Sequence, residues 1–119
     1  MTLIANVLLA LVAALHLYFL VLEMFLWTKP LGLKTFRLTP EFAQASKALA
    51  ANQGLYNGFL AAGLLWGLSQ GATGHAVQLF FLGCVVVAGL FGAATVSCKI
   101  AYIQALPAAL GIAAVLLSA

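Results

Sequence analysis

Charge is what this chain has least of. Of its 119 residues, five are Lys or Arg and two are Asp or Glu, 6% in all. A soluble domain carries about 25% charged residues, so this inventory cannot build a water-facing surface and excludes a soluble globular protein. Cysteine is scarce as well. Cys84 and Cys98 are too few for a disulfide framework, and neither stands in a Cys-x-x-Cys or Cys/His pattern. Both read as small apolar packing residues, and no metal site is expected. A Gly-rich phosphate loop and a nucleophile–base pair are also missing, so the sequence implies no cofactor and no familiar catalytic constellation.

What is abundant is apolar. Hydrophobic residues make up 66% of the chain and the mean hydropathy is +1.17. A membrane span needs about 20 mostly apolar residues, because each adds about 1.5 Å along a helix and the hydrocarbon layer is about 30 Å thick. Four segments qualify: 3–27, 48–68, 76–96 and 100–118. Their apolar runs are continuous rather than alternating, which excludes a transmembrane barrel. The expected fold is therefore all-α, a transmembrane four-helix bundle threaded up-down-up-down, with residues 1–119 as a single integral membrane domain. The first segment has no basic residue before its apolar run, which is about twice the length of a signal core, so it reads as a retained helix.

The basic residues predict the orientation. Lys29, Lys34, Arg37 and Lys47 lie between or beside the first two segments, and Lys99 lies between the last two. With alternating threading these places share one side of the membrane, whereas the termini and the loop 69–75 have no Lys or Arg. Cytoplasmic loops carry the basic excess, so the expected location is a bacterial inner membrane with both termini on the non-cytoplasmic side. The net charge of +3 is then a topology signal with some attraction to anionic lipid, and it gives no reason to expect nucleic acid. The long connection 28–47 mixes basic residues with Leu31, Leu33, Phe36 and Leu38, which suits the headgroup zone. Within it Thr39-Pro40-Glu41 is a helix start: a capping hydroxyl, a proline for the first turn and an acid at the positive end of the dipole. Trp27 and Trp66 are expected at opposite membrane faces.

Polar side chains are few, and they cluster. Glu23 lies about one turn inside the end of the first helix, where a carboxyl group is costly and is expected to face the bundle interior. His16 lies two turns deeper on the same face. On the second helix Asn52 and Tyr56, and Gln53 and Asn57, are spaced four apart and form adjoining stripes. Tyr102 and Gln104 on the fourth helix fall at a similar depth, with Lys99 at the mouth. Together they predict a polar pocket open to the cytoplasm, in which Glu23 supplies charge and His16 relays a proton. The alternative is that the amides serve as interhelical bonds, worth about 0.6 kcal/mol each. His75 and Gln78, near the outer loop, are expected to be solvated. Gly54-x-x-x-Gly58, Gly63-x-x-x-Gly67 and Gly89-x-x-x-Ala93 allow close helix approach within one chain or between copies. Pro107 frees a carbonyl near Ile103 and predicts a kink.

The runs LEMFLW (Leu22–Trp27), LTPEF (Leu38–Phe42) and LAANQGLYNGFLAAGLLWG (Leu49–Gly67), with Thr95-x-x-x-Lys99 and Gln104-x-x-Pro107, resemble domain-of-unknown-function family 1304. The resemblance covers essentially the whole chain and implies a small four-span bacterial membrane protein without an established activity. More distantly, Pro40-Glu41-Phe42, Lys47, Asn52 and Tyr56 are similar to the membrane-associated eicosanoid and glutathione metabolism superfamily. Its members hold glutathione at the cytoplasmic end of a trimer with a basic residue, an Asn and a Tyr. Here Lys47 stands for an Arg, Asn52 is displaced by one position, Leu55 replaces the usual Glu, and no Arg near the fourth helix activates a thiol unless Lys99 does. The leading expectation is binding or transport of a small polar or charged molecule by a homodimer or homotrimer in the lipid bilayer. A glutathione-dependent transferase and a non-catalytic accessory subunit are the alternatives. The residues carrying it are His16, Glu23, Lys47, Asn52, Gln53, Tyr56, Asn57, Lys99 and Gln104.

Overall fold

Prolines set the punctuation of the chain. The computed structural model describes residues 1–119 and contains helices and turns but no strand. Helix α1 runs over Thr2–Met24, α2 over Pro30–Phe36, α3 over Pro40–Ala45 and α4 over Lys47–Ser69. A 3₁₀ turn, Gly71–Gly74, leads into α5 at His75–Thr95; a π-helical segment, Ala101–Ala105, leads into α6 at Leu106–Ser118. A residue before proline is pushed out of the helical region. Accordingly Lys29 (φ −89°, ψ 163°) and Thr39 (φ −78°, ψ 152°) are both extended, and α2 and α3 each begin on the proline that follows.

Three helical stretches are long and apolar enough to cross a membrane: Thr2–Met24, Gly71–Thr95 and Ala101–Ser118. The sequence predicts a fourth at 48–68. Helix α4 forms there, with 23 residues like α1, but Asn52, Gln53, Tyr56 and Asn57 hold its hydropathy below that of the other three. The first predicted span also shortens, since α1 stops at Met24 and residues 25–29 turn towards Pro30. The connection 28–47, expected in the headgroup zone, is not a simple loop, because it holds α2 and α3.

The helices form two compact units. One comprises Met1–Ala14 and Leu60–Ala119. Its core takes Ala5, Leu9, Val12 and Ala13 from α1, Leu64 from α4, Leu82 and Val85 from α5, and Ala108, Ala114 and Val115 from α6. Steps of three and four residues put each set on one helical face. In lipid there is little hydrophobic gain in bringing such faces together, so close packing must hold them. Small residues permit it. A Cβ on Gly63 would collide with the Phe81 ring, one on Gly67 would lie 2.8 Å from the Gln78 Cγ, and one on Gly89 would lie 2.6 Å from the Ala105 nitrogen. Both glycines of Gly63-x-x-x-Gly67, and Gly89, therefore serve contacts within the chain.

Ahead of Pro107, where the sequence predicts a kink, the chain forms a π turn. The amide of Leu106 reaches back five residues to the carbonyl of Ala101. This widened turn lies just ahead of Pro107, whose ring would crowd the carbonyl four residues earlier in a regular helix.

The other unit comprises Leu15–Phe59. Leu22, Ala43 and Ala50 are buried in it. The Trp27 indole donates to the Ser46 hydroxyl at 3.0 Å and packs on Phe36 at 4.9 Å between ring centroids. Thr39 caps α3 as its spacing predicts, its hydroxyl accepting from the Phe42 amide at 3.1 Å. Arg37 closes α2 in the left-handed region, φ 54°. The amide of Leu38 reaches the Leu33 carbonyl and that of Arg37 the Lys34 carbonyl, the paired bonds of a Schellman ending.

Candidate functional site

Gly54 positions a polar pair in the Leu15–Phe59 unit. A Cβ there would lie 2.6 Å from the Met24 Cγ, 3.1 Å from the Glu23 Cβ and 3.2 Å from the Leu20 carbonyl. A Cβ on Gly58, one turn on, would lie 2.7 Å from Leu20. The two glycines thus let α4 lie directly against the last turns of α1. Asn57, three residues beyond Gly54, is thereby brought onto Glu23, and its Nδ2 donates to the Glu23 Oε1 at 2.5 Å. Asn57 is 7% exposed and Glu23 is half-buried. The partner of this carboxyl group is a neutral amide. A neutral donor orients the carboxyl group without pairing it with an opposite charge.

The other predicted residues divide around this pair. His16 is fully buried, with its ring edge-to-face on Phe19 at 5.6 Å. Asn52, Gln53 and Tyr56 are exposed on α4, Tyr56 resting against Phe59 at 6.0 Å. Lys47 is exposed at the start of α4. Lys99, exposed, and Gln104, half-buried, belong to the unit that holds α5 and α6. Within the Leu15–Phe59 unit, then, Glu23 and Asn57 meet, while Asn52, Gln53, Tyr56 and Lys47 turn outward.

Gln78 departs from the solvated role the sequence predicts. It is 2% exposed, and its Nε2 donates to the carbonyls of Gly67 at 2.8 Å and Gly71 at 3.3 Å. The last carbonyls of a helix have no partner within it. Gln78 gives the Gly67 carbonyl a second donor beside the Gln70 amide at 3.3 Å, and the need of helix-end carbonyls for donors is the signal that could have found it. A cavity of about 70 Å³ next to it is lined by Thr2, Asn6, His75, Gln78 and Ser118 among others, and a wider apolar groove by Leu79, Phe80, Val87 and Phe91. No residue of the predicted site lines either one.

An all-helical chain with three helices apolar enough to cross a membrane belongs to the class of integral membrane proteins. Over residues 10–116 it matches the family described as protein of unknown function (DUF1304), and the chain belongs to that family. No curated protein and no solved structure matches it.

Proposed function

We propose that this is a four-span inner-membrane protein, α4 being the fourth crossing, that binds or passes a small polar or charged molecule near the cytoplasmic leaflet. The observation that supports this reading is the Glu23–Asn57 pair. A carboxyl group within a membrane helix is costly and marks a functional position by default. Here it is oriented by an amide rather than neutralised by a basic side chain. In this reading Glu23 contacts the ligand, Asn57 sets the rotamer of Glu23, and the exposed Asn52, Gln53 and Tyr56 offer further hydrogen bonds, to the ligand or to a second copy of the chain. His16, two turns deeper, is the candidate proton relay.

The test is the thermal midpoint of the detergent-purified protein against a panel of small polar molecules that includes glutathione. A ligand of the folded state raises the midpoint by mass action. We expect a shift in the parent that disappears in Glu23→Gln and shrinks in Asn57→Ala. If no compound moves the parent, and Glu23→Gln alone lowers its midpoint, the pair is a structural bond. The exposure of Lys47, Asn52 and Tyr56 on one helix favours a second reading, a glutathione-type transferase. Its signature is a glutathione shift lost in Asn52→Ala and kept in Asn57→Ala.

A further inference from the structure

The small cavity in the Met1–Ala14 and Leu60–Ala119 unit differs from the rest of the protein in that polar side chains from three helices converge on it. Thr2 and Asn6 come from α1, His75 and Gln78 from α5, and Ser118 from the end of α6. Two of these have their hydrogens committed elsewhere. Gln78 directs its Nε2 to the Gly67 and Gly71 carbonyls, so Oε1 is what it has left to offer. Ser118 gives its hydroxyl hydrogen to the Ala114 carbonyl at 2.7 Å, which leaves its oxygen lone pairs. These two side chains can therefore only accept. Gln78 is 2% exposed and lines this space.

A group that needs acceptors brings N–H or O–H donors. The chain has no Lys or Arg in residues 1–28 or 48–98, so no lysine or arginine from these parts of α1, α4 or α5 competes for the oxygens. About 70 Å³ holds a guest of about two water-sized groups, and a charged donor makes stronger hydrogen bonds than a neutral one. From these three facts we infer that the cavity is a binding site for a small donor cation, ammonium or a protonated short primary amine. Gln78 and Ser118 accept its hydrogens, Asn6 turns its amide oxygen inward as a third acceptor, and Thr2 and His75 form the rim. The site is independent of Glu23 and does not rest on the function proposed above.

The test is thermal unfolding of the purified full chain in ammonium, methylammonium and tetramethylammonium chloride at one ionic strength. Tetramethylammonium has the charge but no N–H and is too large for the cavity. We expect a saturable rise of the midpoint with ammonium and methylammonium, and none with tetramethylammonium. Ser118→Ala removes one acceptor at an exposed helix end, and should raise the half-saturating concentration about tenfold, the loss of one hydrogen bond to a charged group. Gln78→Met should abolish the shift; should that variant fail to fold, Ser118→Ala and Asn6→Ala decide. Equal shifts in all three salts, a shift untouched by Ser118→Ala and Asn6→Ala, or no shift in the parent would each overturn the proposal, the last leaving a cavity that holds only water. Glu23→Gln should leave the ammonium shift unchanged, which separates this site from the Glu23–Asn57 pair.

Discussion

Gln53 and Asn57 carry the same amide chemistry four residues apart on α4, yet Asn57 is buried on Glu23 and Gln53 is exposed. The difference lies in the neighbour. Helix α1 ends at Met24, and Gly54 meets that last turn, so one turn nearer the connection α4 has no more of α1 to lie against. The pattern of polar residues in the sequence locates the cluster, but it cannot say where the facing helix stops. Asn57→Ala removes the only donor to Glu23 Oε1 and should cost about 1 kcal/mol, a typical net hydrogen bond and near the range for membrane proteins. Gln53→Ala should stay within about 0.5 kcal/mol, as exposed substitutions do. Unfolding in mixed detergent measures both, and equal losses would mean that the Glu23–Asn57 bond contributes no stability of its own. Gln78 shows a second limit. A lone glutamine beside a loop reads as solvated unless the need of the carbonyls at the end of α4 for donors is counted first.

Among the elements, the helix starts were the most legible. Thr39-Pro40-Glu41 states its own structure, because a capping hydroxyl, a fixed φ and the excluded conformation before proline all act within three residues. The Schellman ending at Arg37 was not legible, since nothing local favours a bulky residue at positive φ. Glycine spacing gave contact positions without partners. Gly63 and Gly83 illustrate the difference: both are mid-helix, but a Cβ on Gly63 runs into Phe81, while one on Gly83 has nothing within 4 Å. Gly63→Ala should destabilise by about 1–3 kcal/mol through overpacking. Gly83→Ala should be neutral or stabilise by up to about 1 kcal/mol through helix propensity. Thermal melts of the two variants beside the parent check this, and a destabilised Gly83→Ala would show that the open face of α5 is covered in the protein at work.

At the level of the whole molecule, composition carried most of the information. With 6% charged residues a membrane protein was the only solution available, and the continuous apolar runs dictated helices, three of which are long and apolar enough to cross a membrane. The status of α4 was harder to read, because the residues that suggest function are the same ones that dilute its hydropathy. The distribution of Lys and Arg makes a separate forecast. Cys98, exposed and next to Lys99, should react with a membrane-impermeant thiol reagent in inverted inner-membrane vesicles and be protected in right-side-out cells. A cysteine introduced at Ser69 should show the opposite pattern. Labelling of both from the same side would overturn the proposed four-span threading.

The π turn at Ala101–Ala105 has a consequence for comparing members of the family. It holds one residue more than a regular turn, and each residue of an α-helix advances about 100° around the axis. Ala108, Gly111, Ala114 and Val115 are buried only because the widened turn absorbs that residue. Tightening the turn to α geometry with the residue kept would swing the outward Leu110 and Leu117 towards the core instead. A relative without it has to be aligned with a gap inside the helix, and an ungapped alignment would shift every position after Ala105 by one and pair buried Ala108 and Val115 with positions equivalent to the exposed 109 and 116.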